Sequence, residues 1–218
     1  MFANEKDLRH PEAIRIKASL YTGITLRLKV ISPGSMENLL YAIDLDSGNA
    51  RKKKTKEEEE EKKHAKDLAL EPPPVVKAGI LNLRLEECRL TRKAAAMLAE
   101  WLKHKSHVET IGLVRVTFDD IVDFKKLTEG MKMNQKLIKI CFQHMNFDEE
   151  MHGTSIGRVL ADSRTIRELD VSNIIFDYKC FYDMSQAILN ERCRLNILKM
   201  RGLMLGEIEG KILQFILM

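Results

Sequence analysis

Residues 80–90 read ILNLRLEECRL, and four later segments repeat their pattern of apolar positions. The five copies begin at residues 80, 108, 137, 166 and 195, at intervals of 28 or 29 residues. Positions 1, 4, 6, 9 and 11 are apolar in every copy. At this chain's composition the chance of such agreement is roughly one in a billion, so the second half of the chain is an internal repeat.

Each repeat predicts a strand followed by a helix. Apolar residues at positions 4 and 6, such as Leu83 and Leu85, alternate with polar neighbours, as in a strand with one buried face. Position 12 always carries a residue that favours a helix N-cap: Thr91, Asp119, Asp148, Asp177 or Gly206. Apolar residues three and four apart follow, such as Leu98 and Leu102, and they indicate an amphipathic helix. One such unit cannot bury its apolar side alone, so the five units are expected to stack.

The pattern resembles the leucine-rich repeats of the ribonuclease-inhibitor type over about residues 76–218. The motif LxxLxLxxCxL is met by residues 80–90, with Ile in the first place. The resemblance implies an α/β solenoid, or horseshoe, of five strand–helix repeats with parallel strands on the concave face. Position 9, usually Asn or Cys in such repeats, departs from the pattern after the first unit: Cys88, Val116, Met145, Ile174 and Leu203. We therefore expect an irregular solenoid whose turn amides find other partners.

Residues 1–50 are predicted to form a small N-terminal module. Two alternating segments within residues 13–31, separated by Tyr21-Thr22-Gly23, indicate a β-hairpin, and Ser35 precedes a predicted helix at 36–45. In an alternative interpretation, residues 24–45 are a degenerate repeat that caps the solenoid, because solenoid ends usually need a cap.

Residues 51–75 are expected to be a flexible, charged and proline-containing linker before the repeat domain at 76–218. The run RKKKTKEEEEEKKHAK at 51–66 has no apolar periodicity, and three prolines follow at 72–74. A nuclear localisation patch at 51–56, or a basic contact to an acidic surface, is the functional alternative. Five consecutive glutamates weaken both alternatives because they cancel the positive field locally.

Composition narrows the class of protein. The 218 residues carry a net charge of +4, most of it in residues 51–66, so the rest of the chain is close to neutral. This balance disfavours nucleic acid as a partner. We expect no membrane span, because no apolar stretch approaches about 18 residues. Four cysteines without a CxxC pair favour reduced thiols and a cytoplasmic location.

The sequence predicts no catalytic site, no metal site and no cofactor, since the common nucleotide, protease and hydrolase motifs are absent. Cys141, His144 and Asp170 are the one set that could place a nucleophile, a base and an orienting group on neighbouring strands. An ordinary contact surface explains the same residues. A small-molecule substrate is therefore not expected.

The concave face is the predicted binding surface, because solenoids present this face to their partners. Its mixed charges disfavour a phosphate backbone, and its lack of aromatic residues disfavours base stacking. A protein partner is the remaining choice. The predicted partner-binding residues are Arg84, Glu86, Glu87, Arg115, Lys139, His144, Glu168, Asp170, Lys199 and Arg201.

The end of the last repeat is a second predicted interface. Leu213, Leu217 and Met218 fall outside the apolar stripe of the final helix, so this helix is apolar on more than one face. We expect the open end at 208–218 to be covered by a partner chain, a second copy or a continuation of the chain. The alternative is that the last residues fray or fold back.

These observations predict a non-catalytic protein–protein interaction module, a structural or scaffold subunit of a larger intracellular assembly. The resemblance to small ribonuclease-inhibitor-type repeats suggests a cilium, as in an axoneme, or the cytoskeleton. The alternatives are a regulator of an enzyme, either a small-GTPase activator or an enzyme inhibitor, and a protein that associates with nucleic acid through residues 51–66.

Overall fold

The computed structural model describes residues 2–3, 23–27, 30–46, 81–104 and 107–217. The predicted linker at 51–75 and the first predicted hairpin strand at 13–20 lie outside these residues. The elements are β1 (Phe2–Ala3), β2 (Gly23–Arg27), β3 (Val30–Ile31), α1 (Pro33–Asp46), β4 (Asn82–Glu86), β5 (Arg89–Leu90), α2 (Arg92–His104), β6 (Thr110–Val114), β7 (Thr117–Phe118), α3 (Ile121–Met133), β8 (Lys139–Gln143), β9 (Asn146–Phe147), α4 (Glu150–Asp162), β10 (Glu168–Asp170), β11 (Ile175–Phe176), α5 (Tyr178–Ile188), β12 (Ile197–Lys199) and α6 (Glu207–Leu217).

The main sheet is open and runs in the order β1-β2-β4-β6-β8-β10-β12, with every pair parallel. From β4 onward each strand pairs with the strand one repeat later, position for position, as in Leu83 with Ile111 and Ile111 with Ile140. Helices α1 to α6 form a second layer in which each contacts the next. The predicted α/β class, with parallel strands alternating with helices, is confirmed.

A regular backbone turn follows each strand of the repeats. The N–H of Glu87 at position 8 donates to the carbonyl of Val114 in the next unit at 2.8 Å, and Arg115 donates to Gln143 at 3.0 Å. Position 8 has a left-handed backbone in all five units: Glu87, Arg115, His144, Asn173 and Gly202. Bonds between neighbouring units therefore satisfy these turn amides.

The apolar positions of the repeat form one continuous core. The position-4 residues Leu83, Ile111, Ile140 and Leu169 are at most 1% exposed. The position-9 residues of the first four units are also buried, so this position fills the core in place of a polar turn residue. In the last unit Leu198, Met200 and Leu203 are only half-buried, because no strand–helix unit within the described residues packs on the far side of β12.

Aromatic rings link three neighbouring units inside this core. Phe124 lies 5.6 Å from Phe142 and 5.5 Å from Phe147 between ring centroids. The imidazole of His152 stacks on Phe147 at 4.9 Å, and its Nδ1 accepts the N–H of Glu149 at 3.4 Å. Burial lowers the pKa of His152, which favours the neutral ring.

The helix N-caps differ from the prediction in two units. Asp177 caps α5 as expected and accepts from the N–H of Lys179. In the second and third units, however, the N-cap is one residue later, at Asp120 and Glu149, so the predictions for Asp119 and Asp148 are wrong. Asp119 instead accepts the N–H of Arg92 at 3.1 Å and so caps the helix of the preceding unit. Repeat position alone could not show which helix a carboxylate reaches.

Two glycines let neighbouring helices touch backbone to backbone. A side chain on Gly130 of α3 would collide with the carbonyl of Ala99 in α2, and one on Gly153 of α4 with the carbonyl of Cys180 in α5. Gly130 and Gly153 are therefore points of close helix packing.

The N-terminal elements extend the same two layers. Strand β2 lies between β1 and β4, parallel to both, and helix α1 packs beside α2. The indole N–H of Trp101 in α2 donates to Asp44 in α1 at 2.8 Å. Segment 23–46 thus has the strand-then-helix order of the later units and lies beside the first of them.

Candidate functional site

The candidate site is the outward face of the main sheet, formed by positions 3, 5 and 7 of each unit. Positions 4 and 6 point to the opposite side, where they pack into the core with the helices. Register pairing aligns the outward positions across the strands, so that Glu168 lies between Lys139 and Ile197. The predicted residues at these three positions therefore share one face, whereas Glu87, Arg115 and His144 lie in the turns at its edge.

Two arginines hold Glu86 at the N-terminal side of this face. The guanidinium of Arg27 in β2 donates to Glu86 in β4 at 2.9 Å, and Nε of Arg84 lies 3.9 Å from the same carboxylate. The hydrogen bond from Arg27 is the main cause that lowers the pKa of Glu86, and it also raises the pKa of Arg27. Glu86 therefore stays ionised.

A chain of polar contacts crosses the middle of the face. The guanidinium of Arg84 donates to Gln143 at 3.3 Å, and the Gln143 amide donates to Asp170 at 2.8 Å. Asp170 also accepts the N–H of Ser172 at 3.1 Å, and the Ser172 hydroxyl accepts the N–H of Arg201 at 3.2 Å. The contacts extend from the first unit of the repeat to the fifth.

A lysine–glutamate–lysine group forms the other charged cluster. The ammonium groups of Lys139 and Lys199 lie 2.8 and 2.7 Å from Oε1 of Glu168, which stands between them on β10. Both lysines lower the pKa of Glu168, while Glu168 raises the pKa of Lys139. The three side chains form one ionic ladder over three strands.

The turns after the strands carry the remaining predicted residues. Arg115 donates to Glu87 at 2.6 Å, so two consecutive turns are linked by an ion pair. His144 and Arg201 are both exposed. Most charges of the predicted set are thus already paired within the chain, and a partner would have to exchange or extend these pairs.

Cys141, His144 and Asp170 do not form a nucleophile–base–orienter set in the described structure. Cys141 is 6% exposed, and burial raises the pKa of its thiol to about 11, which disfavours the nucleophilic thiolate. The Asp170 carboxylate is bound by Gln143 and Ser172 rather than by a histidine.

Sequence reasoning missed Arg27 and left Gln143 out of the predicted partner-binding residues. Gln143 occupies position 7, but an uncharged amide gave no reason to single it out. Arg27 is aligned with Glu86 in the sheet, so it stands at the equivalent of position 7. The alternation of the apolar residues Ile24 and Leu26 with their neighbours was the sequence signal that could have placed Arg27 on this face.

The residues predicted for the second interface are at the C-terminal end of the last repeat unit. Leu213 is half-buried in α6, Leu217 is the final residue of that helix, and Met218 lies outside the described residues. Met204 is 94% exposed and Ile208 is 56% exposed in the same unit. Large apolar side chains are therefore accessible at this end of the core.

Within the described ranges no three His, Cys, Asp or Glu side chains are grouped so that they could hold a metal ion. None of the helices described is long and apolar enough to cross a membrane. No protein-family model matches the chain, and no curated protein is significantly similar to it.

Proposed function

We propose that the chain is a leucine-rich-repeat solenoid of the ribonuclease-inhibitor-like type that acts as a non-catalytic protein–protein interaction module. The observation that carries the proposal is the outward face, where a chain of polar contacts extends from the first repeat unit to the fifth and crosses the second unit at Gly112. Extended solenoid faces of this kind serve as protein-binding surfaces. The outward face would then be the concave side of the solenoid.

The charge pattern supports a protein partner. Acidic and basic groups alternate along the face, as in Arg27–Glu86 and Lys139–Glu168–Lys199. Such a pattern gives specificity for a surface with a complementary arrangement of charges. We place this role in an intracellular assembly such as a ciliary axoneme or cytoskeletal complex, in which the chain is a scaffold subunit.

A charge-swap variant tests the proposal without disturbing the ion pairs. Exchanging the two residues in Glu87→Arg/Arg115→Glu keeps their ion pair and the net charge but reverses the local pattern. Lys103→Glu/Lys125→Glu on the helices is the comparison, since neither lysine has an ion pair in the described structure. Proteins that co-purify with the wild-type chain from its native source should be depleted at least tenfold by the swap and retained by the helix variant.

The thermal unfolding midpoint of each variant establishes that it is folded. If the swap variant folds and retains the same co-purifying proteins as the wild type, the predicted partner-binding residues Glu87 and Arg115 at the edge of the outward face do not take part in binding. An equal loss of co-purifying proteins in the swap variant and in the helix variant would contradict binding that is specific to this face.

The open end of the last unit is the second proposed contact. Its support is the half-burial of Leu198, Met200 and Leu203, whose equivalents in the preceding units are buried. Light scattering after size-exclusion separation tests the occupant. A dimer that Leu213→Lys converts to a monomer would indicate a second copy. If the wild type is a monomer and the Leu213→Lys variant retains the same co-purifying proteins, the result would argue against this contact.

A further inference from the structure

A groove between α1 and α2, on the helical side of the molecule, has a composition unlike that of the outward face. Helix α1 lines it with Glu37, Leu40, Tyr41 and Asp44, which are spaced i, i+3, i+4 and i+7. This spacing puts all four on one helix face that is two turns, or about 10 Å, long.

Helix α2 lines the opposite wall with the same spacing. Its residues are Met97, Glu100, Trp101 and His104. The two walls border a solvent-open space of about 590 Å³, which lies within the size range of ligand-binding clefts. The groove is therefore built by two matched helix faces, each with an acidic group and large apolar side chains.

The groove is lined by three carboxylates and one imidazole, that of His104, whose Nε2 lies 2.9 Å from Oε1 of Glu100. Glu37, Asp44 and Glu100 are acidic, and no lysine or arginine of the described residues lines the groove. The neighbouring groove between α2 and α3 is rimmed by both signs, with Lys103, Lys125 and Lys126 beside Glu100 and Glu129. The acidic groove thus stands out on a chain that is close to neutral outside residues 51–66.

The walls add apolar and aromatic surface to this negative field. Tyr41 is 44% exposed, while Leu40 and Trp101 are 8% and 5% exposed at the base. The indole N–H of Trp101 is bonded to Asp44 at 2.8 Å, which fixes the ring at the buried base of the groove. Cationic groups bind favourably where aromatic faces lie beside carboxylates.

We propose that the α1–α2 groove binds a peptide segment of another protein that carries lysine or arginine next to leucine-like side chains. The basic groups lie against Glu37 and Glu100, and the apolar groups fill the space between Tyr41 and Met97. The charge complementarity of the groove selects this occupant. The site is separate from the outward face and does not depend on the function proposed for that face.

Trp101 is the chain's single tryptophan, so its fluorescence reports on this groove alone. The probe is a helical peptide of twelve leucines and lysines with the leucines at i, i+3, i+4 and i+7. A second peptide with glutamate in place of every lysine is the control. Titration into the full-length protein at 50 mM salt should shift the Trp101 emission with the basic peptide only, and binding should weaken at least tenfold at 500 mM salt.

Variants locate the binding. Glu37→Lys/Glu100→Lys should weaken binding of the basic peptide at least tenfold. Glu109→Lys/Glu191→Lys, which makes the same charge change at two exposed sites elsewhere, should weaken it less than threefold. Tyr41→Ala removes the aromatic wall without any change of charge and should weaken binding several-fold. Tyr41→Ala also provides the test if the charge-reversal variant does not fold.

Three results would overturn the proposal. The first is equal binding of the acidic and basic peptides, and the second is equal loss of binding in the two charge-reversal variants. The third is a Trp101 emission shift that depends on protein concentration alone, which would identify a second copy as the occupant.

Discussion

Arg84 of β4 is hydrogen-bonded to Gln143 of β8 although strand β6 lies between them. The residue that Arg84 crosses is Gly112, and a Cβ built on this glycine would lie 3.4 Å from Cγ of Arg84. The missing side chain in β6 thus gives the guanidinium room to reach across a strand. A small residue in one unit determines a contact between its two neighbours.

Enlarging Gly112 should break this contact. Gly112→Leu places a side chain where Arg84 now lies, and we expect a loss of about 1 kcal/mol in the free energy of unfolding. Gly112→Ala should change it little, because its Cβ would make ordinary van der Waals contact. Urea unfolding of both variants measures the difference. Equal stability of the Leu and Ala variants would contradict the position of Arg84.

Gly153 and Gly210 should respond to alanine with opposite signs. Gly153→Ala overpacks the contact with Cys180 and should destabilise the protein by about 1–3 kcal/mol. Gly210 lies in α6 with no atom within 4 Å of an added Cβ, so Gly210→Ala should stabilise the helix by about 0.5–1 kcal/mol. Denaturant midpoints at one temperature give both values. Stabilisation by Gly153→Ala would rule out the close α4–α5 contact.

Stability should fall as the pH decreases below 6.5, and His152 should account for part of this fall. The pKa of His152 is lowered in the folded protein from 6.5, mainly by burial. As the pH falls, the unfolded chain therefore takes up the proton before the folded protein does. The contribution of neutral His152 to stability is complete above pH 6.5 and is lost as the pH falls toward the lower pKa of the folded state.

The measurement is the urea midpoint at pH 8 and at pH 5.5, for the wild type and for His152→Gln. The variant should be less stable at pH 8, because it loses the stacking on Phe147, but it should lose less stability between the two pH values. An identical pH dependence of both proteins would show that His152 is not buried in its neutral form.

The left-handed turn at position 8 gives a test of backbone strain. His144 has φ of 53°, a conformation that costs an L-residue about 1–2 kcal/mol. His144→Gly should therefore raise the free energy of unfolding, while His144→Val should lower it. Thr117→Gly, in an exposed strand position, is the control and should destabilise the protein by about 0.5–1 kcal/mol. A destabilising His144→Gly would mean that the imidazole makes a contact worth more than the strain.

The sequence was sufficient for the order and register of the strands in the five repeat units, because Leu83, Ile111, Ile140, Leu169 and Leu198 recur at a fixed interval. It was not sufficient for the turns. Asn173, Gly202 and His144 are residue types enriched at positive φ, but Glu87 and Arg115 gave no sign of one. The left-handed turn is imposed by the bonds between units, which a single repeat does not reveal.

The candidate face could be located from alternation, but its internal pairing could not. Which carboxylate meets which cation depends on side-chain reach, as Arg84 shows when it passes Gly112 to contact Gln143. The α1–α2 groove could not be predicted from the sequence for a different reason. Its two walls come from helices separated by residues 47–91, and only the packing of the helices brings Glu37 and Glu100 to one groove.

The hydrogen bonds between units join the same backbone positions each time, as when Glu87 bonds to Val114 and Arg115 to Gln143. Any unit can therefore follow any other without a mismatch of backbone donors and acceptors. A tandem duplication of one 29-residue segment would lengthen the sheet and preserve every bond on either side of the insertion. The side chains need to conserve the apolar positions and the small residues at helix contacts, such as Gly130 and Gly153, so the architecture allows the outward face to grow or shrink in steps of one unit.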